Sequence, residues 1–269
     1  MTAPNFALLE AVRRRRPLIH CIANLVSAND CANLALALGA SPIMAKAPKE
    51  MESIAAASAA AVLNTGTPEA ETFRACLLRG QAAARLGHPV ILDPVGVGAS
   101  PWRLAQVEEL LAAFTPALLR VNLGEAQALL HLESLEQGVD SPVAVSSAQR
   151  AKLARRLARE RGTVVLLSGP EDVISDGTAL WRIGGGSPQM AQITGTGCML
   201  SLLCGVFASV EPEMSAALTA AAFWKACAHR GAVQSGGRGP GSFRAALLDA
   251  AGTLRAEDCT AGVWVETCK

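Results

Sequence analysis

Residues 89–98 read Pro-Val-Ile-Leu-Asp-Pro-Val-Gly-Val-Gly. Val90, Ile91 and Leu92 leave no polar face, so as a strand this segment must be buried on both sides. Pro94 and Gly96 stop it just after Asp93. A strand with two apolar faces needs cover on each, which a parallel sheet between two helical layers supplies. Outward from this point the pattern repeats. Short apolar runs at 17–23, 42–45, 61–64, 117–121 and 163–167 alternate with Ala-rich stretches of helical length at 27–38, 49–60, 69–86, 101–114, 124–130 and 146–161. Ser146 or Ser147 can cap the last of these. Beyond Ser168 the order changes: 172–176 and 179–183, joined around Asp176-Gly177, predict a hairpin. Helices are then expected over 194–208, 214–234 and 243–254. The run Arg13 to Arg16 suits the solvated end of a helix, where the dipole favours cations. No repeat or linker divides the chain, so residues 1–269 are expected to form a single domain.

Composition narrows the partners. Of the 269 residues 51% are hydrophobic and 17% charged, which supplies a large core and excludes disorder. A net charge of +1 with no Tyr and 4% aromatics offers neither the basic surface nor the stacking platform of a nucleic-acid binder. The eight cysteines form no CxxC pair and no zinc-like spacing, as for thiols in a reducing compartment. No apolar segment precedes the early charges, so no secretory signal is expected. The uncharged stretch 183–210 is broken by glycines and Pro188, and 199–207 is too short to span a bilayer. A cytoplasmic protein acting on small molecules, without membrane contact, is the expectation.

In an open parallel sheet, ligands sit past the carboxyl ends of the strands. That places Asn24, Met44, Asn64 to Thr67, Asp93, Asn122 to Glu125, and Ser168 with Gly169 at the candidate site. The strongest local motif is Thr194-Gly195-Thr196-Gly197-Cys198 before an apolar helix. Small residues let the backbone approach a ligand, and the free amides of a helix start favour an anion or the charge that develops in phosphoryl transfer. The same residues also make an ordinary Gly-rich turn; they form neither a Walker A loop nor a GxGxxG. Cys198 at the helix start predicts a thiol pKa lowered below about 8.5, against the alternative of a small buried core residue. Asp93 suits a Mg²⁺ held through waters and phosphates, with Glu125 as a second oxygen donor; a turn and a first-turn helix residue are the plain alternatives. Arg120 can grip phosphate with its planar fork or form a salt bridge. The Gly239-Pro240-Gly241-Ser242-Phe243 turn is structural, with Ser242 a possible cap.

Taken in order, these segments resemble hydroxyethylthiazole kinases. The resemblance runs through Pro17 to Asn24, Ala32-Asn33, Ala37 to Met44, Val62 to Thr67, Val90 to Gly96, Arg120 to Glu125, Gly138-Val139-Asp140, Asp172 to Ile174, Thr194 to Cys198 and Gly239 to Phe243, over roughly residues 6–250. It implies a ribokinase-like α/β fold, a three-layer α/β/α arrangement around a mainly parallel sheet. The implied reaction moves the γ-phosphoryl of ATP, with Mg²⁺, onto the primary alcohol of hydroxyethylthiazole in thiamine salvage, in a homotrimer with active sites between subunits. By match, Met44, Gly195 and Asn24 fall on the thiazole side, Arg120, Ser168 and Asn122 on the ATP side, and Asp93 and Glu125 on the metal side. Cys198 stands where most ribokinase-like relatives carry an Asp that takes the alcohol proton. A neutral thiol is a poor base, so Gly195 to Gly197 are expected to dominate catalysis with Cys198 assisting. The sequence departs from the family at Ala23 for Thr, Asp30 for an aromatic or apolar residue, Val121 for Gly and Ser168 for Thr. Ser168 keeps the hydroxyl, Val121 adds bulk beside the nucleotide, and Ala23 with Asp30 alters the wall near the alcohol. The rival readings are a kinase for another small alcohol such as a hydroxymethylpyrimidine, which should carry Asp at 198, and a non-catalytic nucleotide- or thiazole-binding protein.

Overall fold

Seven of the nine strands among the described residues contribute apolar side chains to two cores at once, in alternation. Ile91 faces one core while Val90 and Leu92 face the other; Leu118 and Leu119 divide in the same way, as do Leu166 and Val165. The computed structural model describes residues 3–132, 145–211 and 213–268, so the Gly138-Val139-Asp140 segment lies outside the described residues. The strands are β1 (Leu18–Ile22), β2 (Ser41–Ile43), β3 (Ala60–Asn64), β4 (Val90–Asp93), β5 (Leu118–Val121), β6 (Val164–Leu167), β7 (Asp172–Ser175), β8 (Leu180–Gly185) and β9 (Val263–Cys268). They form one sheet in the order β2-β1-β3-β4-β5-β6-β7-β8-β9. β1 to β6 are parallel, and β7 to β9 add an antiparallel margin.

Helices cover both faces. On one lie α1 (Leu8–Arg15), α2 (Ala28–Ala37), α8 (Thr196–Ala208), α9 (Glu213–Ser235) and α10 (Pro240–Thr253). On the other lie α3 (Met51–Ala57), α4 (Ala70–Leu86), α5 (Pro101–Ala113), α6 (Leu123–Leu129) and α7 (Ser147–Arg161). Local chemistry sets several boundaries. Ser146 and Gln149 form a capping box on α7, and Gly162 ends it with φ +62°. Arg13 to Arg15 occupy the last turn of α1, as the dipole favours. The Asp176-Gly177 turn joins β7 to β8, with Asp176 Oδ1 accepting from the amides of Thr178 and Ala179.

Several elements differ from the sequence reading. The segment 49–60 is a 3₁₀ turn (Pro48–Glu50) followed by α3, and Ala60 already pairs in β3, because β1 beside it captures the backbone. β2 ends at Ile43, which leaves Met44 in the following loop. α10 starts at Pro240, one turn before Phe243: proline is pre-set for the first helical position, and Ser242 lies inside the helix instead of capping it. The edge strand β9 has no counterpart in the sequence reading, although its partner is fixed by register, Trp181 to Thr267 and Ile183 to Val265.

Two features carry the site to the sheet's carboxyl edge. The chain leaves β1 toward β2 and then returns to the other side of β1 with β3, which makes the β1/β3 boundary the topological switch point. A β-carbon on Gly205 would overlap Val62 Cγ2, so α8 lies closer to β3 than a larger residue permits. α8 runs against the strands, and its first turn therefore sits above the ends of β3 and β4.

Candidate active site

Five strand ends are tied together by side-chain hydrogen bonds. Asn24, after β1, donates from Nδ2 to Asn64 Oδ1 at 3.0 Å and to Cys198 Sγ at 3.3 Å. Its Oδ1 accepts from the amides of Val26 and Ser27, which fixes the amide's orientation. Asn64, the last residue of β3, donates to Asp93 Oδ2 at 2.8 Å. Asp93, the last residue of β4, also accepts from Ser201 Oγ at 2.8 Å and from Arg120 Nη1 at 3.3 Å. Arg120, in β5, donates from Nη2 to Ser168 Oγ, just past β6, at 2.6 Å. A continuous polar chain thus runs from the Cys198 thiol to Ser168.

Gly195 caps α8 with φ +82°, a conformation that favours glycine. The amides of Thr196, Gly197 and Cys198 precede the first intrahelical bond, from Met199 N to Gly195 O. Trp224 Nε1 donates to Thr196 O and pins this turn. The Arg120 guanidinium rests against Gly197, and its Nε is buried without a partner. Beside them opens a cavity of about 550 Å³ whose lining includes Arg120, Ser168, Thr196, Gly197, Trp224 and Lys225. That volume suits a nucleotide-sized ligand. A larger hollow of about 710 Å³ lies at the opposite, amino ends of β4, β5 and β6 and contains none of these groups.

The electrostatics reverse one expectation. Burial pushes the Cys198 thiol pKa up, and the Asp93 charge adds to it; hydrogen bonding and Arg120 oppose them without winning. The helix start does not lower it, so the group is a neutral thiol. Burial also raises the Glu125 carboxyl above its usual range, against the pull of Arg120 and with the push of Asp93. Burial works against the Arg120 charge, but Asp93 and Glu125 outweigh it and raise its pKa.

Asp93 and Glu125 are spoken for within the protein. Glu125 accepts from the amides of Gly96 at 3.0 Å and Asn122 at 2.8 Å, and Asn122 Oδ1 in turn accepts from Glu125 N as the cap of α6. A carboxylate has roughly four acceptor sites, which leaves one on Asp93 and two on Glu125. That donor set fits Mg²⁺ held through water and not an inner-sphere cage. Among the described residues no cluster of three or more His, Cys, Asp or Glu could hold a metal by itself.

The remaining sequence-derived positions separate. Asn122 is exposed, absent from the cavity lining, and its side chain caps α6. Met44 is partly buried against the core beneath α2 and α8, as is Ala23, and neither lines the 550 Å³ cavity. Val121 is fully buried in the opposite core, so its bulk does not reach the nucleotide cavity; strand alternation turns Arg120 toward that cavity and Val121 away. Asp30 is paired with Arg244 of α10 and is not free to line the alcohol wall. Sequence reasoning missed Ser201 and Lys225. Each left a signal: Ser201 lies three residues after Cys198, on the same helix face, and Lys225 is the lone charge between 214 and 228.

With this geometry in place, the hydroxyethylthiazole kinase family profile matches residues 9–257. A hydroxyethylthiazole kinase from Methanoculleus marisnigri is 41% identical over 96% of this chain and 92% of its own. A solved hydroxyethylthiazole kinase structure from Pyrococcus horikoshii OT3 superposes with TM-score 0.89 at 33% identity, over 98% of both chains. The pyridoxal kinase of Staphylococcus aureus in complex with ADP shares the fold alone, with TM-score 0.61 at 15% identity over 79% of this chain and 87% of its own.

Proposed function

The chain belongs to the hydroxyethylthiazole kinase family, and from that premise we propose that it moves the γ-phosphoryl of ATP onto the primary alcohol of hydroxyethylthiazole, giving the thiazole phosphate used in thiamine salvage. One observation carries the reading: Arg120, with its buried, unpartnered Nε, lines one cavity at the sheet's carboxyl edge together with Thr196 and Gly197, whose amides open α8. These are donors prepared for negative charge that is absent from the protein itself.

Arg120 and Ser168 hold the nucleotide's phosphates, while Asn24, Met44 and Gly195 receive the alcohol at the β1/β3 switch point. Asn122 acts on the nucleotide only through the α6 cap. The O–P bond forms as the bond to the departing ADP breaks, and the charge spread over the moving phosphoryl oxygens falls on the first turn of α8. Cys198, neutral and bonded to Asn24, orients the alcohol without taking its proton early, and the proton leaves late to water or phosphate. Mg²⁺, facing Asp93 and Glu125 through water, would neutralise the phosphate charge.

Leu25 and Val26 follow Asn24 and are 70% and 59% exposed. Large apolar side chains left bare at the edge of a site favour a second subunit closing it, and we place the enzyme in a homotrimer on that basis and on the family's. Among the described residues no helix is long and apolar enough to cross a membrane. All eight cysteines are free, which favours a cytoplasmic setting.

A coupled ADP-release assay over a panel of heteroaromatic alcohols tests the proposal. Turnover that requires hydroxyethylthiazole supports it. A preference for a hydroxymethylpyrimidine, or nucleotide binding without turnover, sinks it. Light scattering checks the trimer.

A further inference from the structure

Lys225 lines the nucleotide cavity next to Arg120, yet it has no proton left for a phosphate. The residue is 7% exposed on α9. Its Nζ donates to Gly169 O and Pro170 O, each at 3.0 Å, and faces Asp172 Oδ2 at 3.5 Å. An ammonium carries three donors, and these partners use all of them. The stem is held in turn: a β-carbon on Gly186 would stand 3.1 Å from Lys225 Cδ.

The turn after β6 is gripped from its other side too. Arg150 Nη2 donates to Ser168 O at 3.0 Å and Glu171 O at 3.1 Å. Asp172 Oδ1 accepts from Gly169 N at 2.9 Å. The carbonyls of residues 168 to 171 are therefore all held by two cations, which leaves Ser168 Oγ to meet Arg120 Nη2. A carbonyl released from Lys225 would present its negative end to the cavity where phosphate must lie, and would free Ser168 from its position.

We infer that Lys225, with Asp172 as its counter-charge, is a positioning residue for the nucleotide: it acts through the Ser168–Pro170 turn and does not touch the phosphates. The inference rests on the kinase reading above and adds a residue to that same site.

Lys225→Met and the double variant Lys225→Met with Asp172→Asn test it by calorimetric ATP binding, KM for each substrate and thermal unfolding. The single variant should weaken ATP binding roughly tenfold, the scale of a lost charge-assisted bond. Its KM for the alcohol should stay within about twofold, since that contact is unaltered. It should also melt earlier, because Asp172 is left buried and unpaired. The double variant should regain melting temperature but not ATP affinity, since Gly169 and Pro170 still lack their donor. If the single variant does not fold, the double variant decides. ATP affinity unchanged in either variant, or restored together with stability in the double one, overturns the inference and leaves the kinase reading standing. A wild-type protein that binds no ATP overturns both.

Discussion

Gly197 and Arg120 are packed so closely that no β-carbon fits between them: built on the glycine, it would overlap Nη2 and stand 2.7 Å from Cζ. The glycine is therefore required by contact, whereas Gly195 is required by its φ of +82°, with a tight 3.0 Å approach to Ser27 Cβ adding to the strain of any larger residue. Gly197→Ala must push the guanidinium away from Asp93 and Ser168. Steady-state kinetics should show kcat/KM lower by roughly 10²-fold or more, the scale for losing one preorganised charge donor. Wild-type turnover in this variant would show that the contact opens freely.

Cys198 offers a sharper chemical test. Its pKa is raised by burial and by Asp93, so at neutral pH it does not act as a base. Cys198→Ala should retain measurable turnover, reduced by about one order of magnitude, as for a group that orients more than it transfers protons. Cys198→Asp should be tolerated or faster, because a carboxylate there supplies the base the thiol does not. Complete loss of turnover in a folded Cys198→Ala protein contradicts the assisting role. Alkylation by iodoacetamide should likewise be slow at neutral pH and accelerate only above the ordinary thiol range.

Much of this arrangement was legible from the chain because the underlying rules are local. Val90-Ile91-Leu92 announces a doubly covered strand, and the residues just after each such strand are at the ligand edge by topology, which is how Asn24, Asp93 and Ser168 could be placed, with Arg120 at the end of its own strand. What the sequence could not show is which way each of those side chains spends its hydrogen bonds. Asn122 and Glu125 satisfy each other as a capping box, and Asp30 finds Arg244, which is 214 positions away. Cys198 sits at a helix start, where the dipole argues for a lowered pKa, but burial by the surrounding fold, seconded by Asp93 from a distant strand, raises it instead. Strand β9 was missed because one exposed edge strand pairs through its backbone, so its side chains carry little pattern.

A buried pair beneath the Met44 loop sets an acid limit on stability. Arg79 is fully buried and donates from Nε to His20 Nδ1 at 3.0 Å, so His20 Nε2 carries the proton and donates to Ala45 O at 2.9 Å. Burial, seconded by the Arg79 charge and opposed by the Ala45 bond, lowers the His20 pKa from 6.5 to about 4. Between those values the unfolded chain binds a proton that the folded protein refuses, so stability falls as pH drops through this window and the loss is complete below pH 4. The shift implies a loss of about 2 kcal/mol between pH 7 and pH 5. His20→Gln keeps an acceptor and a donor without titrating, and urea unfolding of this variant should show that part of the slope removed. An unchanged pH dependence would place the acid sensitivity elsewhere.

Asp30 decides whether an acidic departure from the family alters the substrate. It is 6% exposed, and both its oxygens accept from Arg244, through Nε at 3.1 Å and through Nη2. An acid engaged on both oxygens by a cation of α10 has little charge to offer an alcohol bound over β1 and β3. Asp30→Ala releases Arg244, whose side chain is 49% exposed, into water instead of stranding a buried charge, so the stability cost should stay near 1 kcal/mol or below. KM for hydroxyethylthiazole and for ATP should both match the wild type within experimental scatter. A selective rise in the alcohol KM would show that Asp30 reaches the substrate and would return this position to the list of residues that choose it.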